Sequence, residues 1–167
     1  MQTAIILGVV GAVLSAVALA LRGQGGPRPA AMPDVFLRDI PGVFFALSSS
    51  TFKDGHFAVF LFGADGEPPA ATDALNVQFS IEAGRIGIDW VLLAPLNLES
   101  QSRFVAFFEG KARALLRREA TRVKYLRVEG DHLAALLQEF LGTEFKVRSD
   151  QRMELIAEGF AWAGAGR

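Results

Sequence analysis

Residues 4–21, AIILGVVGAVLSAVALAL, hold no charge, and Ser15 is their only polar side chain. Such a run can leave water only if its backbone N–H and C=O groups bond to one another, which an α-helix achieves within one segment. Eighteen residues at ~1.5 Å each give ~27 Å, close to the ~30 Å hydrocarbon core of a bilayer. Ten of the eighteen are Ile, Leu or Val. At roughly −0.3 to −0.6 kcal/mol each they favour insertion by about 3 to 6 kcal/mol.

Three structures compete for this run. A core helix of a soluble fold shows a polar face, and this segment has none. A cleaved signal peptide carries a basic n-region. Ala18-Leu19-Ala20 has the small residues of a cleavage site, but Met1-Gln2-Thr3 has no Lys or Arg. A retained single transmembrane helix fits best. Arg22 and Arg28 follow the run and no basic side chain precedes it. The positive-inside rule then puts the rest of the chain in the cytoplasm, at a bacterial-type inner or plasma membrane. Gly8, Ala12, Ala16 and Ala20 recur every four residues, a stripe on which a second helix can pack closely. Gly and Ala are also common in membrane helices without such a role.

The expected organisation is a transmembrane anchor over residues 1–22, a flexible linker over 23–33, a soluble α+β domain over 34–163 and a frayed tail over 164–167. The linker, RGQGGPRPAAMP from Arg22, has the Gly and Pro content that breaks regular structure. About 135 residues beyond the anchor and linker suit one domain with a real core. The formal net charge of −1 argues against a nucleic-acid partner, which selects strongly basic domains. The absence of Cys excludes disulfides, thiolate metal sites and Cys nucleophiles.

Asp34–Ile40 reads as a short helical turn capped by Asp34 and ended by Pro41-Gly42. Val43–Ser48 and Phe57–Phe62 read as strands separated by the turn signal Asp54-Gly55. The second is apolar on both alternating faces and should be central. Residues 65–73 read as a loop. Asn76–Glu82 alternates, with Val77, Phe79 and Ile81 inward and Asn76, Gln78, Ser80 and Glu82 outward, the pattern of a half-exposed strand. Ala83-Gly84 turns it into Arg85–Leu93, with Ile86, Ile88, Trp90 and Leu92 inward.

Beyond Pro95, a helix capped by Asn97 or Ser100 carries Phe104, Val105, Phe108, Ala112 and Leu115 at helical spacing, and Gly110 weakens its middle so that it can stop there. Residues 114–119 fit either a last helical turn or a strand. Val123–Glu129 reads as a strand. A second helix starts from Asp131, carries Leu133, Leu136, Leu137, Phe140 and Leu141, and stops at Gly142. Glu154–Trp162 closes the sheet. Strand runs followed by mixed elements give an α+β domain, with a largely antiparallel sheet and two main helices packed on one face.

Chemical motifs are sparse. His56 and His132 have no second ligand at metal spacing, so neither a metal nor another cofactor is expected. Ser48, Ser49, Ser50, Asp54 and His56 lie close in sequence, and a nucleophile and base could be drawn from them, but no GxSxG elbow is present. Parity places the carboxylates Glu82 and Asp89 on the polar strand face, as solvated charges. The segment 103–127 holds eight basic side chains against two acids. Its Lys111, Arg113, Arg117, Arg118, Arg122, Lys124 and Arg127 form a candidate basic contact surface for anionic headgroups or an acidic protein.

These residues point to a membrane-anchored accessory or interaction protein without a catalytic motif, with lipid and a membrane or membrane-proximal protein as partners and self-association as a further expectation. Two alternatives stand beside it: a small hydrolase using the Ser48–His56 loop, and a secreted or periplasmic binding domain released by signal cleavage.

Overall fold

The computed structural model describes residues 34–51, 53–67, 74–120 and 123–164. The apolar run 4–21, with its stripe Gly8, Ala12, Ala16 and Ala20, lies outside the described residues, as does Arg122. No helix among the described residues is long and apolar enough to cross a membrane.

Among the described residues the architecture is α+β, with seven strands and four α-helices. In chain order they are β1 (Val35–Phe36), α1 (Ile40–Ser48), β2 (Phe57–Phe62), β3 (Leu75–Glu82), β4 (Arg85–Val91), α2 (Pro95–Glu99), α3 (Gln101–Phe108), β5 (Ala114–Ala120), β6 (Val123–Glu129), α4 (Leu133–Glu144) and β7 (Arg152–Glu158). The strands form one sheet in the order β1-β7-β2-β3-β4-β6-β5, and every pairing is antiparallel.

One face of the sheet carries the main core. Phe60 of β2, Phe79 of β3 and Trp90 of β4 share it with Val43 of α1, Phe104 of α3 and Phe140 of α4. Three longer helices therefore pack on that face rather than two. Phe140 is the hub, with its ring 5.2 to 5.6 Å from those of Trp90, Phe104, Phe107, Phe108 and Phe145. Such edge and tilted contacts suit the ring quadrupole. The indole N–H of Trp90 donates to the Asn97 carbonyl at 2.8 Å. Asn97 is no cap: it lies inside α2, fully buried, and its side chain bonds the Asn76 backbone on β3.

Several sequence expectations are corrected. Val43–Ser48 is helical, because Ile40, Val43 and Leu47 stand at helical spacing and all three are buried, while Phe45 is 70% exposed. Pro41 opens this helix instead of ending the one before it: its fixed φ suits a first turn, where its missing N–H costs nothing. Before it come β1 and a single 3₁₀ turn, Leu37–Asp39. Helix α4 is capped by His132, not Asp131, and runs through Gly142 to Glu144. The last strand ends at Glu158, ahead of Gly159. Residues 114–119, left open between helix and strand, belong to β5.

Candidate functional site

Antiparallel pairing aligns residues from neighbouring strands into rows, and one row crosses the second face of the sheet. Val59 of β2 faces Gln78, Gln78 faces Asp89, Asp89 faces Arg127, and Arg127 faces Leu116. Ser80, Glu82 and Glu129 flank this row through the two-residue repeat of their strands.

Arg127 is 0% exposed and Asp89 1%, so a residue read as part of a basic contact surface and a carboxylate read as solvated are both buried. Arg127 accordingly leaves the candidate basic surface, and Asp89 is not a solvated carboxylate. The guanidinium uses all five donors. Nη1 donates to Asp89 Oδ1 at 2.8 Å and Ser80 Oγ at 2.9 Å, and Nε donates to Glu129 Oε1 at 3.0 Å. Nη2 donates to the carbonyls of Arg85 at 2.9 Å and Ser80 at 3.4 Å. Glu82 Oε2 adds an ion pair to Nε at 3.3 Å. Asp89 Oδ2 also accepts from Gln78 Nε2 at 3.0 Å and from the Ser80 hydroxyl. A buried guanidinium costs little only when it is saturated in this way.

The electrostatics follow from the packing. Burial raises the Glu82 carboxyl above its ordinary value and Asp89 adds to the rise, against the pull of Arg127. Burial and the Glu82 charge raise the Tyr125 hydroxyl. For Glu129, burial pushes upward, but the bonds from Arg127 and Arg85 outweigh it and hold the carboxyl below its ordinary value. Burial opposes the charge on Arg127, and Asp89, Glu129 and Glu82 together more than restore it.

Gly87 makes this arrangement possible. A Cβ at that position would stand 2.5 Å from Arg127 Cζ, so only glycine lets the guanidinium lie across β4. An isolated glycine within a strand pattern signals such a close approach. Together with complementary charges on the polar faces of β3, β4 and β6, it is the sequence signal from which the network could have been found.

The remaining basic residues do not form one patch. Arg117 pairs with Leu126 and Glu119 with Lys124, whereas Arg118 pairs with Tyr125. The pleat therefore sends Arg117 and Lys124 to the helix side of the sheet and Arg118 to the other. Lys111 is tied to Glu139 at 2.7 Å and lies over the Phe107 ring at 3.9 Å. Arg113 stands 3.7 Å from Asp131. Arg117, Arg118 and Lys124 are exposed and form no ion pair among the described residues. A shallow groove of about 360 Å³ runs along this hairpin, floored by Leu92 and Leu126.

The serine-rich loop comes together in part. Ser50 Oγ lies 3.3 Å from His56 Nδ1 and donates to the Leu47 carbonyl at 2.7 Å. Asp54 accepts from the Gly84 N–H at 2.9 Å, and no carboxylate among the described residues bonds His56. Ser48 bonds the Phe45 carbonyl as a helix-end hydroxyl. His132 is exposed at the start of α4. No cluster of His, Cys, Asp and Glu among the described residues has the geometry to hold a metal ion. No family model, curated protein or solved structure matches the chain.

Proposed function

We propose that this chain is a single-pass membrane-anchored accessory or interaction protein, held by residues 4–21 and presenting its α+β domain at the cytoplasmic surface. The observation that carries the reading is the uncharged run of eighteen residues, followed by Arg22 and Arg28. The stripe Gly8, Ala12, Ala16 and Ala20 would pack against a partner helix or a second copy. Arg117, Arg118 and Lys124, exposed at the end of the sheet, supply the domain's contact surface. The buried network around Arg127 supports it indirectly, by holding the strands that display this surface.

Carbonate extraction and protease accessibility test the reading. The native chain should stay with the membrane at alkaline pH, and its C-terminal tail should be cut only after the cells are opened. Release into the carbonate supernatant, or a mature N-terminus at Leu21, would refute the anchor; the latter would establish signal cleavage instead.

A further inference from the structure

Strand β5 ends the sheet, and its outer edge pairs with nothing among the described residues. Proteins ordinarily blunt such an edge by shortening it, kinking it with a bulge or proline, or covering it. At the opposite edge the sheet ends in the two-residue strand β1. β5 is unlike it: seven residues in unbroken register with β6, from Ala114 opposite Glu129 to Ala120 opposite Val123, with neither proline nor bulge. Alternate residues of an edge strand turn their N–H and C=O outward, so β5 offers a ladder ready for an eighth strand.

The side chains state what that strand should be. Arg117 and Arg118 are adjacent, exposed and unpaired in ions, and the pleat places one on each face of the sheet. A second copy is a poor fit. The fully overlapped antiparallel register sets Arg117 against Arg117. A shift of two residues sets Arg118 against Arg118 in one sense. In the other it sets Arg117 and Arg118 against Leu115 and Ala114, so that no carboxylate of the copy faces either guanidinium. An odd shift sets outward amides against inward ones. Like charges directly opposite one another destabilise a pair. A strand with two adjacent carboxylates would instead place one opposite each guanidinium. We infer that the β5 edge takes up an extended acidic segment of a partner protein as an added antiparallel strand. The inference rests on reading the domain as an interaction module, and it is independent of how the chain meets the membrane.

The test uses the full chain and an extended octapeptide with two central glutamates flanked by valine and threonine. Amide hydrogen exchange along residues 114–120 is followed with peptide present. Exchange at alternate residues of β5 should slow about tenfold or more at saturation, as it does for amides drawn into a ladder. Two versions of the peptide, N-methylated on one or the other alternate set of amides, separate a ladder from charge attraction: one should lose binding and the other keep it. Reversing charge with Arg117→Glu and Arg118→Glu, both at exposed positions, should weaken the peptide about tenfold or more and admit its lysine counterpart. The inference falls if β5 gains no protection at millimolar peptide, if both N-methylated versions bind equally, or if charge reversal changes nothing. Carbonate extraction of the same preparation reports on the anchor separately, so failure of one reading cannot be taken for failure of the other.

Discussion

Replacing Arg127 by Met tests whether the polar network on the second sheet face is a structural unit. Methionine fills much of the volume of the stem but removes the charge and all five donors. Asp89, 1% exposed, then keeps only the donors from Gln78 and Ser80, and Glu82 and Glu129 lose their shared cation. Breaking a buried pair by removing one partner costs about 3 to 5 kcal/mol, because the other charge stays buried and uncompensated. For a domain of about 130 residues that corresponds to a fall in Tm of about 11 to 18 °C. Scanning calorimetry of the full chain measures it. One feature identifies the cause: adding Asp89→Asn should restore about half of the deficit, because it removes the uncompensated charge. A loss below about 1 kcal/mol, the range of an exposed ion pair, would show that the network is solvated and the reasoning wrong. So would a loss that Asp89→Asn leaves untouched.

Gly87→Ala should destabilise by about 1 to 3 kcal/mol, as overpacking does, because the new methyl meets Arg127 Cζ at 2.5 Å. Combined with Arg127→Met the loss should be clearly less than additive, since the clash disappears with the guanidinium; calorimetric additivity would refute the close approach. Glu129→Gln keeps an acceptor for Arg127 Nε but removes the charge. It should cost about 1 to 1.5 kcal/mol at pH 7, the difference between a charge-assisted and a neutral hydrogen bond. Because the Glu129 carboxyl lies below its ordinary 4.5 in the folded chain, the unfolded chain binds more protons just below that pH. The stability Glu129 contributes is therefore full above about pH 4.5 and is lost as pH falls further, so the difference between wild type and variant should narrow there. Glu82, raised by burial, acts in the opposite sense above 4.5 and cancels in that difference, and a gap that stays constant into acid would refute the assignment.

Much of the fold was legible in local pattern. The hairpin β3–β4 shows its alternation, its Ala83-Gly84 turn and its inward Ile88 and Trp90 in the sequence. The apolar stripe of α4 is equally plain, and only its end was misplaced, since Gly142 costs about 1 kcal/mol in a helix that packing can supply. Val43–Ser48 misled because three buried residues at helical spacing are interleaved with aromatics that suit a strand equally well. Parity correctly assigned Gln78 and Asp89 to the face away from the main core, but parity says which face and never whether that face is wet.

By itself the sequence determined what depends on near neighbours: the uncharged run 4–21, the α+β class, the hairpin and the residues of the helix-side core. Period and turn chemistry are written within a few residues of one another. The tertiary structure alone decided which distant strands become adjacent. That adjacency brings Arg127 within bonding distance of Asp89, thirty-eight residues away, and converts apparent surface charges into a buried network. It also leaves β5, whose sequence suited helix or strand, as the open edge with Arg117 and Arg118 on opposite faces. Strand order is a choice among long-range pairings, and the side chains of one segment do not carry it.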